Sequence, residues 1–204
     1  MYHRPMDGNP HDLAAFILAG GKSTRMGMDK CYVTLDGRTL LARALDLARS
    51  ITSEVYIVGE RAKFVPFAPV VEDIFANCGP LGGIHAALAG SQKELNVILA
   101  VDIPFISFAL LQFLISRARS SDAAATVAQA SGYWQPLCAV YRRDFAPLAE
   151  EALRAGHYKI DALFDRAKLQ AISAEELEVA GFAPAIFRNL NTPEELSSAS
   201  TAKL

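Results

Sequence analysis

Three cysteines, Cys31, Cys78 and Cys138, stand far apart in a chain of 204 residues and are odd in number. They make neither a CxxC metal pair nor a disulfide framework, so they read as ordinary thiols in a reducing compartment. Long apolar runs are missing too: none reaches the roughly 18 residues that cross a bilayer, and residues 1–12 lack a hydrophobic signal core. The expectation is a cytoplasmic protein without a membrane partner. Charge of one sign is not in excess, with 20 basic and 22 acidic side chains. Nothing therefore draws the whole surface to nucleic acid, and any anion site must be local. Two phosphate-binding patterns fail on spacing. A P-loop ending in Gly21-Lys22-Ser23 would need glycine where Phe16 stands, and G-x-G-x-x-G fails because Lys22 lies two after Gly20. His3, Asp7 and His11 are split by Pro5, Gly8, Asn9 and Pro10, which break any helix that could align them, so residues 1–12 read as a flexible tail.

What is present is a chain half hydrophobic (51%) and about a fifth charged (21%), the balance of a globular body. The apolar run Leu13–Leu18 suits a strand buried on both faces, and it opens into Ala19-Gly20-Gly21-Lys22-Ser23-Thr24-Arg25-Met26-Gly27-Met28-Asp29-Lys30. Glycines let main-chain N–H groups reach an anion, and Lys22, Arg25 and Lys30 answer its charge, so the loop is a candidate phosphate cradle.

The turn dipeptide Asp36-Gly37, helical spacing over 39–51 and a strand at Val55–Val58 complete a βαβ unit. Val70–Val71 then delivers Glu72 and Asp73 to a loop, and Gly79-Pro80-Leu81-Gly82-Gly83 leads to a helix expected near Ile84. Gly82 and Gly83 read either as a second anion or ribose contact at a helix N-terminus or as turn glycines serving only the backbone. A strong strand over 96–101 ends in Asp102. At the carboxyl edge of a parallel sheet that acid would face the same crevice as Gly20 and Gly21, as a Mg²⁺ ligand or as a turn cap.

Ser107 caps a helix running to about Arg119, and β-like runs at 123–129 and 136–141 flank a short connection, which adds one antiparallel strand. Tyr133 and Trp134 there could stack on a ligand or simply pack. Helices are expected at 145–155 and 160–166, strands at 169–173 and 186–190 with an acidic turn or helix between, and a capped helix from Thr192-Pro193. His157 reads as a surface or capping residue. With no repeat or linker, one α/β domain spans 13–196, followed by a fraying tail at 197–204. Its fold class is a three-layer sandwich: a mostly parallel Rossmann-like sheet, helices on both faces and one antiparallel strand.

Taken together, L-A-G-G-x-S-x-R-M-G-x-D-K, G-P-L-G-G, D-I-P at a strand end and N-x-N-T-P-E-E-L resemble the MobA-type molybdenum cofactor guanylyltransferases of the Rossmann-like nucleotidyltransferase superfamily, over about 16–196. The resemblance implies GMP transfer from GTP to molybdenum-bearing molybdopterin, with Mg²⁺ as cofactor. It implies nucleotide contacts from Leu18, Ala19, Gly20, Gly21, Lys30, Asp73, Gly82 and Asp102, catalytic roles for Arg25, Lys30 and Asp102, metal ligation by Asp102, and pterin contacts from Asn189 and Asn191. It also leaves room for transient contact with cofactor-biosynthesis proteins or apo-molybdoenzymes. Where some relatives carry an asparagine, this chain has Val58-Gly59-Glu60. The alternatives are a cytidylyltransferase of the same architecture and a GTP-binding partner protein without turnover.

Overall fold

The computed structural model describes residues 12–20 and 29–190. Strand β1 (Leu13–Leu18) is buried at all six positions, because both faces of the sheet are covered. The twofold alternation of a strand divides its side chains between two cores. Leu13, Ala15 and Ile17 enter one with α1 (Leu40–Arg49) and α4 (Phe108–Arg119). Ala14, Phe16 and Leu18 enter the other with α3 (Gly79–Gly90) and α5 (Phe145–Arg154). This is the expected three-layer sandwich.

Among the described residues seven strands form one sheet in the order β5-β4-β1-β6-β8-β7-β9. They are β4 (Val55–Val58), β5 (Val70–Val71), β6 (Leu95–Ala100), β7 (Ala125–Ala130), β8 (Tyr133–Arg142) and β9 (Leu169–Ile172) beside β1. Only β8 runs against its neighbours: it is antiparallel to β6 and β7, while the other pairings are parallel. Its hairpin turn is tighter than the sequence suggests. Ser131 (φ 51°) and Gly132 (φ 79°) close a two-residue loop, and Tyr133 and Trp134 already lie in the strand. Trp134 packs edge-on against Phe164, and Tyr133 is exposed. A separate small hairpin, β2 (Thr34–Leu35) and β3 (Arg38–Thr39), turns at Asp36 and Gly37.

Other expectations shift. The helix expected near Ile84 starts at Gly79, whose φ of 63° turns the chain into it, and Pro80 fills its first turn. Residues 160–166 hold only a 3-10 turn, Asp161–Leu163. The acidic stretch is a helix, α6 (Ala174–Val179), closed by a Ser173/Glu176 capping box, with Leu177 buried. No strand forms at 186–190: Pro184 starts a 3-10 turn, Pro184–Phe187, and Phe187 and Leu190 reach the core without pairing into the sheet. The helix expected from Thr192 lies outside the described residues. Cys31, Cys78 and Cys138 are free thiols, all buried.

Candidate active site

The register places four carboxyl ends in line. Leu18 pairs with Val58 and with Ala100, and Val58 pairs with Val71, so the loops after β1, β4, β5 and β6 leave the same edge. Main-chain bonds extend the ladder past the strands: Ala19 N–H donates to Val58 O at 3.1 Å, Val101 N–H to Leu18 O at 3.2 Å, and Gly59 N–H to Val71 O at 3.0 Å. These bonds occupy Leu18 and Ala19, whose side chains are buried, and Gly20 is the first exposed residue of the loop.

The chain returns at Asp29. Its Oδ1 accepts from Cys31 N–H at 3.0 Å and caps the 3-10 turn Lys30–Tyr32. Cys31 is buried beneath that turn and its thiol donates to Ala19 O at 3.5 Å, so exit and entry of the loop are fastened together. Burial pushes the Cys31 thiol up to about 11. From this turn Lys30 Nζ reaches Asp102 Oδ2 at 2.9 Å, with the two side chains 25% and 21% exposed. Two residues 72 positions apart, each singled out in the sequence, thus meet at the edge of the sheet.

Asp73 follows β5 on the same edge, and β5 stands three strand spacings, roughly 14 Å, from β6, which Asp102 follows. It is exposed, yet surrounding protein raises its carboxyl above the usual range. Its neighbour Glu72 is committed elsewhere, accepting from Arg61 N–H and Nε of α2 (Arg61–Phe64), both at 3.2 Å. Phe75 pins the Asp73 loop: its ring meets His85 edge-on at 5.1 Å and lies under Arg154 at 5.6 Å.

Gly82 and Gly83 do not precede α3 but lie buried in its first turns. A Cβ on Gly82 would stand 3.0 Å from Phe75 O, and one on Gly83 3.2 Å from Leu18 Cδ2. Both glycines let α3 approach the sheet and the Asp73 loop closely, from within the helix rather than from a turn before it. Asn189 is exposed beside Leu190, whose N–H donates to Asp102 O at 2.9 Å, so the late segment is tied to the same edge. Gly21, Arg25 and Asn191 lie outside the described residues.

Three residues with no motif of their own also belong here. Gly59 packs against Phe64, and a Cβ on it would stand 2.8 Å from that ring and 3.6 Å from Gly20 N. Lys63 forms an ion pair with Asp29. Arg188 stacks over Phe105 at 4.8 Å, bracing the loop after β6.

Residues 15–172 match the MobA-like NTP transferase domain. The chain belongs to that family. Among its MobA-like relatives, a protein of Pelotomaculum thermopropionicum named "Probable molybdenum cofactor guanylyltransferase" is 33% identical, covering 90% of this chain and 89% of its own length. The molybdenum cofactor guanylyltransferase of Desulfosudis oleivorans is 32% identical over 93% of this chain and 95% of its own. The crystal structure of molybdopterin-guanine dinucleotide biosynthesis protein A from Archaeoglobus fulgidus superposes with a TM-score of 0.80 at 27% identity, covering 92% of this chain and 96% of that one. In this MobA-like fold Lys30 thus stands at the same sheet edge as Asp102. No helix among the described residues is long and apolar enough to cross a membrane.

Proposed function

We propose that this chain transfers GMP from GTP to the phosphate of molybdenum-bearing molybdopterin, forming the guanine dinucleotide of the cofactor. A phosphate oxygen of the pterin attacks the α-phosphorus of GTP; the new P–O bond forms as the α–β bridging bond breaks, and pyrophosphate leaves with the bond electrons. The observation that carries the reading is the contact between Lys30 Nζ and Asp102 Oδ2, 2.9 Å apart on the carboxyl edge of a MobA-like sheet. The names of the relatives support guanine as the base and the pterin as acceptor.

In this reading Gly20 and Gly21 admit the phosphates, Arg25 and Lys30 neutralise them, and Asp73 marks the nucleoside side. Leu18, Ala19 and Gly82 form the floor, and Asn189 and Asn191 serve the pterin. Among the described residues no three His, Cys, Asp or Glu side chains gather as a metal cage. Asp102 would be the carboxylate that holds Mg²⁺, an ion that draws most of its shell from substrate phosphates and water. When bound, it would neutralise charge on the transferring and leaving oxygens. Lys30, already beside Asp102, places a second cation at the same point. A cytoplasmic setting and transient contact with other cofactor-biosynthesis proteins or apo-molybdoenzymes belong to the same proposal.

Asp102→Asn tests it by pyrophosphate release from GTP in the presence of the pterin. Removing one preorganised charge costs on the order of 10²-fold or more in rate, with thermal stability near wild type. Wild-type turnover in this variant removes Asp102 from the reaction.

A further inference from the structure

Lys63 sits on a four-residue helix after β4, with no motif around it, yet it reaches the base of the Lys30 turn. Its ammonium pairs with Asp29 Oδ2 and lies 4.7 Å from the centroid of Phe64 and 5.6 Å from that of Tyr32. Lys63 and Asp29 are only 27% and 31% exposed, and burial lowers the Lys63 pKa. Asp29 thus does two things with two oxygens: Oδ1 caps the turn through Cys31 N–H, and Oδ2 holds Lys63. Lys30 is the first residue of that turn and carries the ammonium that meets Asp102.

A fully exposed ion pair would contribute little, because water screens it and two long side chains must be ordered. Here the ammonium lies near two rings, and the pair acts on a cap whose loss lets the turn fray. A displacement of about 1 Å in a group that meets a reacting phosphate costs far more in rate than the same displacement costs in stability.

We infer that Lys63 is a positioning residue for Lys30, acting through the Asp29 cap. The inference rests on the reading of this edge as the GTP site. It is a statement about arrangement: Lys63 fastens α2 to the exit of the glycine-rich loop and so fixes where the Lys30 ammonium stands.

The test compares Lys63→Met, Lys63→Arg, Asp29→Asn and the Lys63→Met/Asp29→Asn double variant, each checked by thermal melting. Lys63→Met should lower kcat/KM for GTP about tenfold, in line with a modest misplacement. Lys63→Arg should restore most of it, and the double variant should be no slower than the worse single. Independent losses that multiply in the double variant would mean that Lys63 meets substrate itself, and wild-type kinetics in Lys63→Met would mean that it does nothing; either overturns the inference. A second readout needs no turnover. Cys31 is buried under the same turn, so its alkylation by iodoacetamide, mapped by mass spectrometry against Cys78 and Cys138, should speed up selectively in Lys63→Met. An unchanged Cys31 rate overturns the clamp. Absence of pyrophosphate release in the wild type, with Cys31 selectively exposed in the variant, would instead overturn the GTP reading and leave the clamp standing.

Discussion

Gly59→Ala is a small change at a place with no room for it. The added Cβ would stand 2.8 Å from Phe64 Cε2 and 3.0 Å from Cδ2. Phe64 cannot yield cheaply, since it is 1% exposed and packed in the core shared with α1 and β4. Overpacking of this kind costs about 1–3 kcal/mol. At about 2 kcal/mol, a domain of this size should lose roughly 4–8 °C in Tm. Thermal and urea melts of Gly59→Ala, Phe64→Leu and the double variant measure the cost and its cause. The smaller side chain should absorb much of the strain, so the double variant should be more stable than the sum of the singles predicts. Because the new methyl also lies 3.6 Å from Gly20 N and displaces the ring under Lys63, KM for GTP should rise as well. A Gly59→Ala protein melting within a degree of wild type, or strictly additive singles, would refute the steric argument.

Asn96 is fully buried in β6, where its amide accepts from Ser91 and donates to Lys93 O and Tyr141 O; Asn96→Ala should cost about 1–3 kcal/mol in a urea titration by stranding those groups. His85 is buried, its Nδ1 has no partner among the described residues, and it faces Phe75, Glu150 and Arg154. Desolvation lowers its pKa first; Glu150 opposes that shift and Arg154 adds to it. The folded state therefore favours the neutral ring, and stability should fall as pH drops below about 6.5. His85→Gln should flatten that slope in melts between neutral and acidic pH. Asp73 has the opposite sign: partial desolvation by the surrounding protein raises its carboxyl, so its charge opposes folding once pH rises through the raised value. Asp73→Asn should melt higher than wild type at neutral pH, with the gain vanishing at pH below the ordinary carboxylate value, while binding GTP more weakly.

The sheet was legible where burial leaves no choice. β1 and β6 carry apolar runs that suit a doubly covered strand, and a hairpin between the runs at 123–129 and 136–141 was legible, although it turns at Ser131-Gly132 alone. Asp102 stands out as an acid just beyond a buried strand, on the carboxyl edge that collects such residues, whereas Lys30 stands out by its charge at the far end of the glycine-rich loop, and the two meet. The start of α3 was not, because Gly79-Pro80 has the composition of a turn and its glycines at 82 and 83 mark close packing inside a helix. Residues 186–190 look like a strand by composition, yet Pro184 turns the chain, and among the described residues Leu190 joins the edge through its main-chain bond to Asp102 O. Gly59, Lys63 and Arg188 left no trace in spacing, as each acts through partners distant in sequence. Asp29 carries no signal of its own in the loop, yet the Cys31 N–H two residues on makes it a cap.

The central claim is tested most directly by incubating the protein with Mg²⁺, molybdenum-bearing molybdopterin and each of the four NTPs in turn, following pyrophosphate and the pterin dinucleotide together. The account predicts both products with GTP and neither with CTP. Products with CTP alone, or GTP binding without pyrophosphate, would contradict it.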